Sequence, residues 1–137
     1  MSRVVVTGGS IVEIAEKCIT TIESQLPSRA HRASNVLRNS ALDVLRGQRS
    51  GRMYGNHQAS APGEPPASKS GHLRISWEPQ TYIEGTVYKS SIESPLKYAG
   101  LLEDGTPGGQ MAPRPHHDRI KEDALPKITR IYDEPYF

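Results

Sequence analysis

The sequence predicts an α+β fold: two N-terminal amphipathic helices packed on a small antiparallel sheet, with a long flexible loop and a C-terminal helix. Three observations predict it. Apolar residues recur at helical spacing through residues 11–45. They alternate in two β-type runs between 72 and 90, and they return to helical spacing after residue 119. Twelve glycines and 11 prolines among 137 residues, with only 35% hydrophobic and 6% aromatic side chains, make room for long loops around a lean core. A chain of this length forms a single domain over residues 1–137, and lean cores are often completed by association with further copies.

The elements follow in order. "RVVVT", residues 3–7, is a β-branched run that reads as a short strand. Ser10 then has the look of a helix N-cap, with Glu13 completing a capping box. Ile11, Ile14, Ala15, Cys18, Ile19, Ile22 and Leu26 fall on one arc of the first helix, opposite Glu13, Glu16, Lys17, Thr20 and Ser24. Pro27 is expected to end or kink it.

The second helix is expected from about Ser28 to Arg46, with Ala30, Ala33, Leu37, Ala41, Val44 and Leu45 inward and Gly47 as its C-cap. Its alanines would let another backbone approach closely. Residues 47–71 show no apolar periodicity and read as an arm, flexible over 48–70, that a partner orders on assembly. "HLRISW" and "TYIEGTVYKS" then read as two strands around a turn at Glu78-Pro79. A last helix, interrupted near Pro126, would bury Ile120, Ala124, Ile128 and Ile131. The tail 132–137, "YDEPYF", is expected to dock on an adjacent subunit or to fray.

Charge is segregated. Residues 27–77 hold eight basic side chains against two acidic ones, whereas residues 78–137 hold seven against ten. Such polarity suits a molecule that stacks head to tail or faces a polyanion on one side. A lone cysteine, Cys18, excludes an internal disulfide framework and suits a reducing cytoplasm. No apolar run approaches a membrane span, and the chain start lacks the features of a signal peptide. The expectation is a protein made soluble inside the cell, with no membrane partner.

Chemistry finds little foothold. "VVVTGGSIVEI" has two adjacent glycines where a phosphate-binding turn spaces three. His116 and His117 are neighbours, as are Glu103 and Asp104, and adjacent side chains point apart on a helix or strand. Cys18 lies on an apolar arc, as a buried small side chain would. No catalytic residue, metal ligand or cofactor is therefore expected. Arg29, Arg32 and Arg46, with Arg49, Arg52 and Lys69 in the arm, form a candidate phosphate-facing patch for DNA without sequence specificity; a solvated helix face explains the same pattern.

Two stretches carry a resemblance. Pro62, Pro65 and Pro66 form a Pro-rich loop ahead of Gly71, Leu73, Arg74 and Ser76. Tyr98, Ala99, Glu103, Gly105 and Thr106 follow, and then Ala112, Arg114 and Pro115. In that order over residues 60–125, these elements resemble the tail-completion or neck protein family of long-tailed bacteriophages. Two departures stand out: Asp104 replaces a common aromatic, and His116-His117-Asp118-Arg119 replaces the apolar anchor of the last helix. The resemblance implies a non-enzymatic virion protein that forms a ring, a hexamer by analogy with tail symmetry. The ring would complete the tail end and join it to the head, touching neighbouring neck and tail proteins and passing DNA. It also implies that the matched residues serve subunit interfaces. Met111 and Ala112 add a small apolar knob beside three glycines, and Glu103 would cap backbone N–H groups or pair with an arginine such as Arg74.

Overall fold

The computed structural model describes residues 2–6, 8–46, 49–67, 71–109 and 111–137. In chain order the elements are α1 (Ile11–Val44), β1 (Met53–Tyr54), β2 (His57–Gln58), α2 (His72–Ile75), β3 (Glu78–Glu84), β4 (Val87–Glu93), α3 (Tyr98–Asp104) and α4 (His117–Asp133). The α+β reading holds, with two small antiparallel sheets, β1–β2 and β3–β4. Several details of the expected arrangement differ.

Where two N-terminal helices were expected, one helix of 34 residues runs through Pro27. Its start is the expected one: the Ser10 hydroxyl accepts from Glu13 N–H at 3.1 Å, and the Glu13 carboxylate accepts from Ser10 N–H at 3.3 Å. Proline removes one helical hydrogen bond. The inward arc nevertheless continues across it, from half-buried Ile22 and Leu26 to buried Ala30 and Ala33, so packing on both sides outweighs the lost bond. At the far end Leu45 N–H closes on Ala41 and Arg46 N–H on Asp43. The Arg49 guanidinium donates to the carbonyls of Val44 and Arg46, covering part of the helix end. The expected cap, Gly47, lies outside the described residues, as do Thr7 and Lys69.

The expected strand at residues 3–7 is not seen in its described part: residues 3–6 are exposed and paired with no strand. β-branched residues need a neighbouring strand to form a ladder. "HLRISW" is likewise not a strand but the one-turn α2 and its exit, leading into β3. The turn expected at Glu78-Pro79 is instead at Gly85-Thr86. Glu84 pairs with Val87 and Glu78 with Glu93, so "TYIEGTVYKS" folds back on itself. Gly85, at φ +62°, takes the first position of a two-residue hairpin loop, which favours glycine.

α4 is also continuous, with Pro126 on its exposed side where water can reach the freed carbonyl. Ile120, Ala124 and Ile131 are buried as expected, and Ile128 is half-buried. α1 is the spine: β3, β4 and α4 all pack on it, and its buried residues run from Arg29 to Ala41. Ala41, Leu45, Trp77 and Ile120 form the core, with Leu37, Val44, Leu73 and Ile92 against them. The alanines do admit close approach, since Ser90 Oγ donates to the Ala30 carbonyl at 2.6 Å.

The arm has structure of its own, which its missing apolar periodicity did not suggest. Beyond β1–β2, Gly51 N–H donates to Ala59 and Ala59 N–H to Arg52, both at 2.9 Å. A Cβ on Gly51 would sit 2.6 Å from the Ala59 carbonyl, so only glycine fits there. Glu64 accepts from Ser50 N–H, the Ser50 hydroxyl and Ala61 N–H. Those bonds pull its carboxyl down to about 2, the Ser50 hydroxyl foremost. No described helix is long and apolar enough to cross a membrane.

Candidate functional site

The segments that carry the resemblance meet in space. Gly63 N–H donates to the Pro113 carbonyl at 3.1 Å, and Arg119 donates to the Gly63 carbonyl at 3.0 Å. Arg114 Nε donates to Ser60 Oγ at 2.8 Å, while its Nη1 donates to the Ala112 carbonyl at 2.7 Å. Thr106 and Met111 close the loop between them: Thr106 N–H donates to the Met111 carbonyl at 3.1 Å, and Met111 N–H to Thr106 Oγ1 at 2.9 Å. Gly105, at φ +80°, makes this possible. A Cβ there would lie 2.8 Å from the Met111 carbonyl.

Across the junction, Gly71 begins α2, and Leu73 packs against the core. Arg74 Nε donates to the Leu42 carbonyl at 2.9 Å rather than to Glu103. Ser76 Oγ bonds Ser94 Oγ at 2.7 Å, Ala99 is buried, and Tyr98 stays exposed. Pro115 is half-buried ahead of α4. Gly71, Leu73, Arg74, Tyr98, Leu45 and Leu102 help line a cavity of about 290 Å³.

Glu103 organises the start of α4. Its Oε2 accepts from the backbone N–H groups of His116 at 2.7 Å and His117 at 3.2 Å. That is N-capping from 13 residues away, with the carboxylate charge at the positive end of the helix. His116 is fully buried and meets the Trp77 ring edge-on at 5.9 Å. It supplies the anchor that the resemblance left open, with an imidazole in place of an apolar side chain. Burial pushes its pKa below the ordinary value, the Arg114 carbonyl and the Glu103 charge acting the other way.

The two imidazoles do not point apart, correcting the expectation from their adjacency. Their ring centroids are 4.8 Å from each other, and ligand atoms of Glu103, His116 and His117 lie within 4.8 Å of one another. Such a set suits zinc or iron in chemical type. The hydrogen bonding commits Glu103 Oε2 to the helix start. His116 Nδ1 sits 2.9 Å from both the Arg114 carbonyl and Glu103 Oε2, so it must carry the proton and donate. That leaves Nε2 as the ring's open ligand atom. The bare Nε2 is buried without a hydrogen-bond partner, a cost set against the packing the ring provides.

The arginine patch is broken up. Arg29 is 5% exposed and cannot face DNA. It donates to the carbonyls of Ile131, Tyr132, Glu134 and Pro135, and its guanidinium lies 3.6 Å from the centre of the Tyr136 ring. It thus caps the C-terminus of α4 and holds the tail on the same chain, where docking on a neighbour or fraying was expected. Arg32 pairs with Glu134 at 2.7 Å, and Arg49 is committed to the arm and helix end, including Pro65 at 2.7 Å. Arg46 and Arg52 remain exposed, Arg52 lying 5.2 Å from the Tyr54 ring.

The N-terminal apolar arc of α1 is not core, contrary to expectation. The tail meets α1 at Gln25, which donates to the Tyr136 carbonyl. Beyond that point Ile11, at 86% exposure, and Ile14 and Ile19 lie open, with Val4, Val5 and Val6 ahead of them. Cys18 and Ile22 are half-buried. The periodicity located the apolar face but could not tell that the described chain leaves much of it open. Compared with family models, curated proteins and solved structures, the chain matches none.

Proposed function

We propose that this chain is a structural, non-enzymatic subunit that assembles with copies of itself. The observation that carries this reading is the open apolar face of α1 between Ile11 and Ser24. Isolated helices this short are marginal in water and are usually held by packing of their apolar face. Within the described chain Ile11, Val12, Ile14 and Ile19 stay more than half exposed, so a partner surface is the natural cover for this face.

The resemblance of residues 60–125 makes the assembly more specific. The subunit forms a ring at the head–tail junction of a tailed phage virion, completes the tail end and joins it to the filled head. Neighbouring neck and tail proteins are its other partners, and double-stranded DNA passes through the lumen. It resides in the host cytoplasm until assembly. A DNA-binding accessory role keeps a narrower footing in the arginines, since Arg29 is buried and Arg49 is committed within the chain while Arg46 and Arg52 stay exposed.

Disrupting the coding sequence in its phage and imaging the particles tests the reading. Filled heads beside separate tails, or tails with abnormal ends, are the expected result. Intact infectious particles would overturn it.

A further inference from the structure

We infer that copies join by strand addition, residues 3–6 of one copy pairing with the free edge of β3 in the next. This deepens the assembly reading above, on which it rests, by naming the two surfaces that meet.

The acceptor is the outer edge of the β3–β4 hairpin, a sheet of only two strands. Glu84 and Val87 close its two-residue loop and exchange both backbone hydrogen bonds. Alternation then turns the N–H and C=O of Gln80, Tyr82 and Glu84 toward β4, and those of Thr81 and Ile83 outward. No described residue bonds these outward groups, and Thr81, Tyr82 and Ile83 are all exposed. The outward positions of β4, at Tyr88, Ser90 and Ile92, are half-buried instead. Pro79, next along the β3 edge, has no N–H to offer, so a ladder stops there. An open edge of this kind is a template for another strand.

The donor is the β-branched run Val4, Val5 and Val6, exposed at 95%, 63% and 90% and paired with no strand. Charge agrees with backbone: residues 2–6 hold Arg3 and no acid, whereas β3 holds Glu78 and Glu84 and no cation. One antiparallel register meets both conditions. Val4 faces Ile83 and Val6 faces Thr81, each pair exchanging both backbone bonds, while Arg3 falls opposite Glu84. Val4 and Val6 then lie on the side of the sheet shared by Thr81 and Ser90, where the Ser90 hydroxyl bonds the Ala30 carbonyl of α1.

The same chain cannot supply this strand while α1 is intact. Thr81 lines a cavity with Pro27 and Ala30, about 24 Å or more from Ile11 along the helix at 1.5 Å per residue. The backbone from Val6 to Ile11 spans about 18 Å at full stretch. A second copy is therefore the occupant, since each copy brings one donor segment and one acceptor edge. Repeated, the contact closes into a ring or extends as a filament.

Disulfide trapping on the full chain tests this. Val5 falls opposite Tyr82 in this register, as a non-hydrogen-bonded pair with Cα atoms about 4.5 Å apart, within reach of a disulfide. Cys18→Ser removes the only native cysteine. In that chain, Val5→Cys with Tyr82→Cys is expected to give a ladder of dimers, trimers and higher species under mild oxidation. Either substitution alone should give none, and the two single variants mixed should stop at dimers. Val4→Pro with Val6→Pro removes both N–H donors from an exposed segment and should weaken self-association about tenfold or more in light scattering.

A disulfide closed within single copies, with no ladder, would overturn the second copy as occupant. Multimers in light scattering without a ladder, or multimers indifferent to the two prolines, would overturn this pair of surfaces but leave the assembly reading intact. A chain that stays monomeric at every concentration overturns the strand addition. The assembly reading then stands or falls on particle imaging.

Discussion

Glu103 Oε2 accepts the backbone N–H of His116 at 2.7 Å and also lies 2.9 Å from its ring Nδ1, so one carboxylate fixes both the start of α4 and the orientation of its buried first side chain. Two segments separated in sequence, α3 and α4, are thereby locked at a single point. Glu103→Ala leaves the His116 and His117 N–H groups without this acceptor and costs about 1–2 kcal/mol. Glu103→Gln, which keeps a carbonyl oxygen, costs less. Urea unfolding followed by circular dichroism measures both, and an unchanged midpoint for Glu103→Ala would remove the capping role.

His116 makes stability depend on pH. Its folded pKa is depressed by burial, so the unfolded chain binds a proton more readily as pH falls through the ordinary histidine value near 6.5. Stability is therefore full above that value and declines as pH drops toward the folded pKa. His116→Leu keeps an apolar anchor and removes this proton. The variant is expected to show a flatter midpoint between about pH 7 and 5 than the parent protein; equal slopes would exclude His116 as the source.

The cap predicts indifference to metal. Glu103 Oε2 is committed to the His116 and His117 N–H groups, so a metal drawing on that carboxylate would compete with the cap, while His116 Nε2 stays open. Thermal unfolding in EDTA and in equimolar zinc should coincide within error. A rise of several degrees with zinc, lost in His117→Ala, would show that the cluster rearranges to bind it.

Arg29 separates structural from surface arginines. Arg29→Ala removes charge-assisted hydrogen bonds to the end of α4 and the packing on Tyr136, and should cost about 2–3 kcal/mol. Arg46→Ala and Arg52→Ala, both exposed, should fall within about 0.5 kcal/mol of the parent. Any test of DNA contact therefore belongs on Arg46 and Arg52, because a change at Arg29 would damage the fold first.

What the sequence made legible follows from how local each signal is. Ser10 and Glu13 announced their capping box because both partners lie within four residues. The inward positions of α4 emerged from spacing alone, as did the α+β class. Arg29 did not betray its role, since its backbone acceptors lie more than 100 residues away and a helix-face count treats it like Arg46. His116 was hidden for a similar reason: its burial depends on Trp77 and Glu103, neither adjacent in sequence. The arm's contacts were not legible because they run through Glu64, Arg49 and backbone pairing, none of which leaves an apolar period. Gly85 carried a readable hairpin signal, obscured by the alternating residues on either side of it.

Pro27 gives the last prediction. Inside α1 it has no N–H to donate to the Glu23 carbonyl, and a proline in a helix interior costs about 3 kcal/mol relative to alanine. Packing of Ala30, Ala33 and Ala41 holds the helix together on the C-terminal side, but residues 11–24 have no comparable cover. The missing bond therefore lies where the supported helix gives way to the free one. Pro27→Ala should restore it, raising the unfolding midpoint and extending amide protection into residues 20–27 in hydrogen exchange. A lower midpoint would mean that the ring itself, which lines a cavity of about 310 Å³ with Ala30, Tyr82 and Tyr88, contributes more through packing than the lost bond costs.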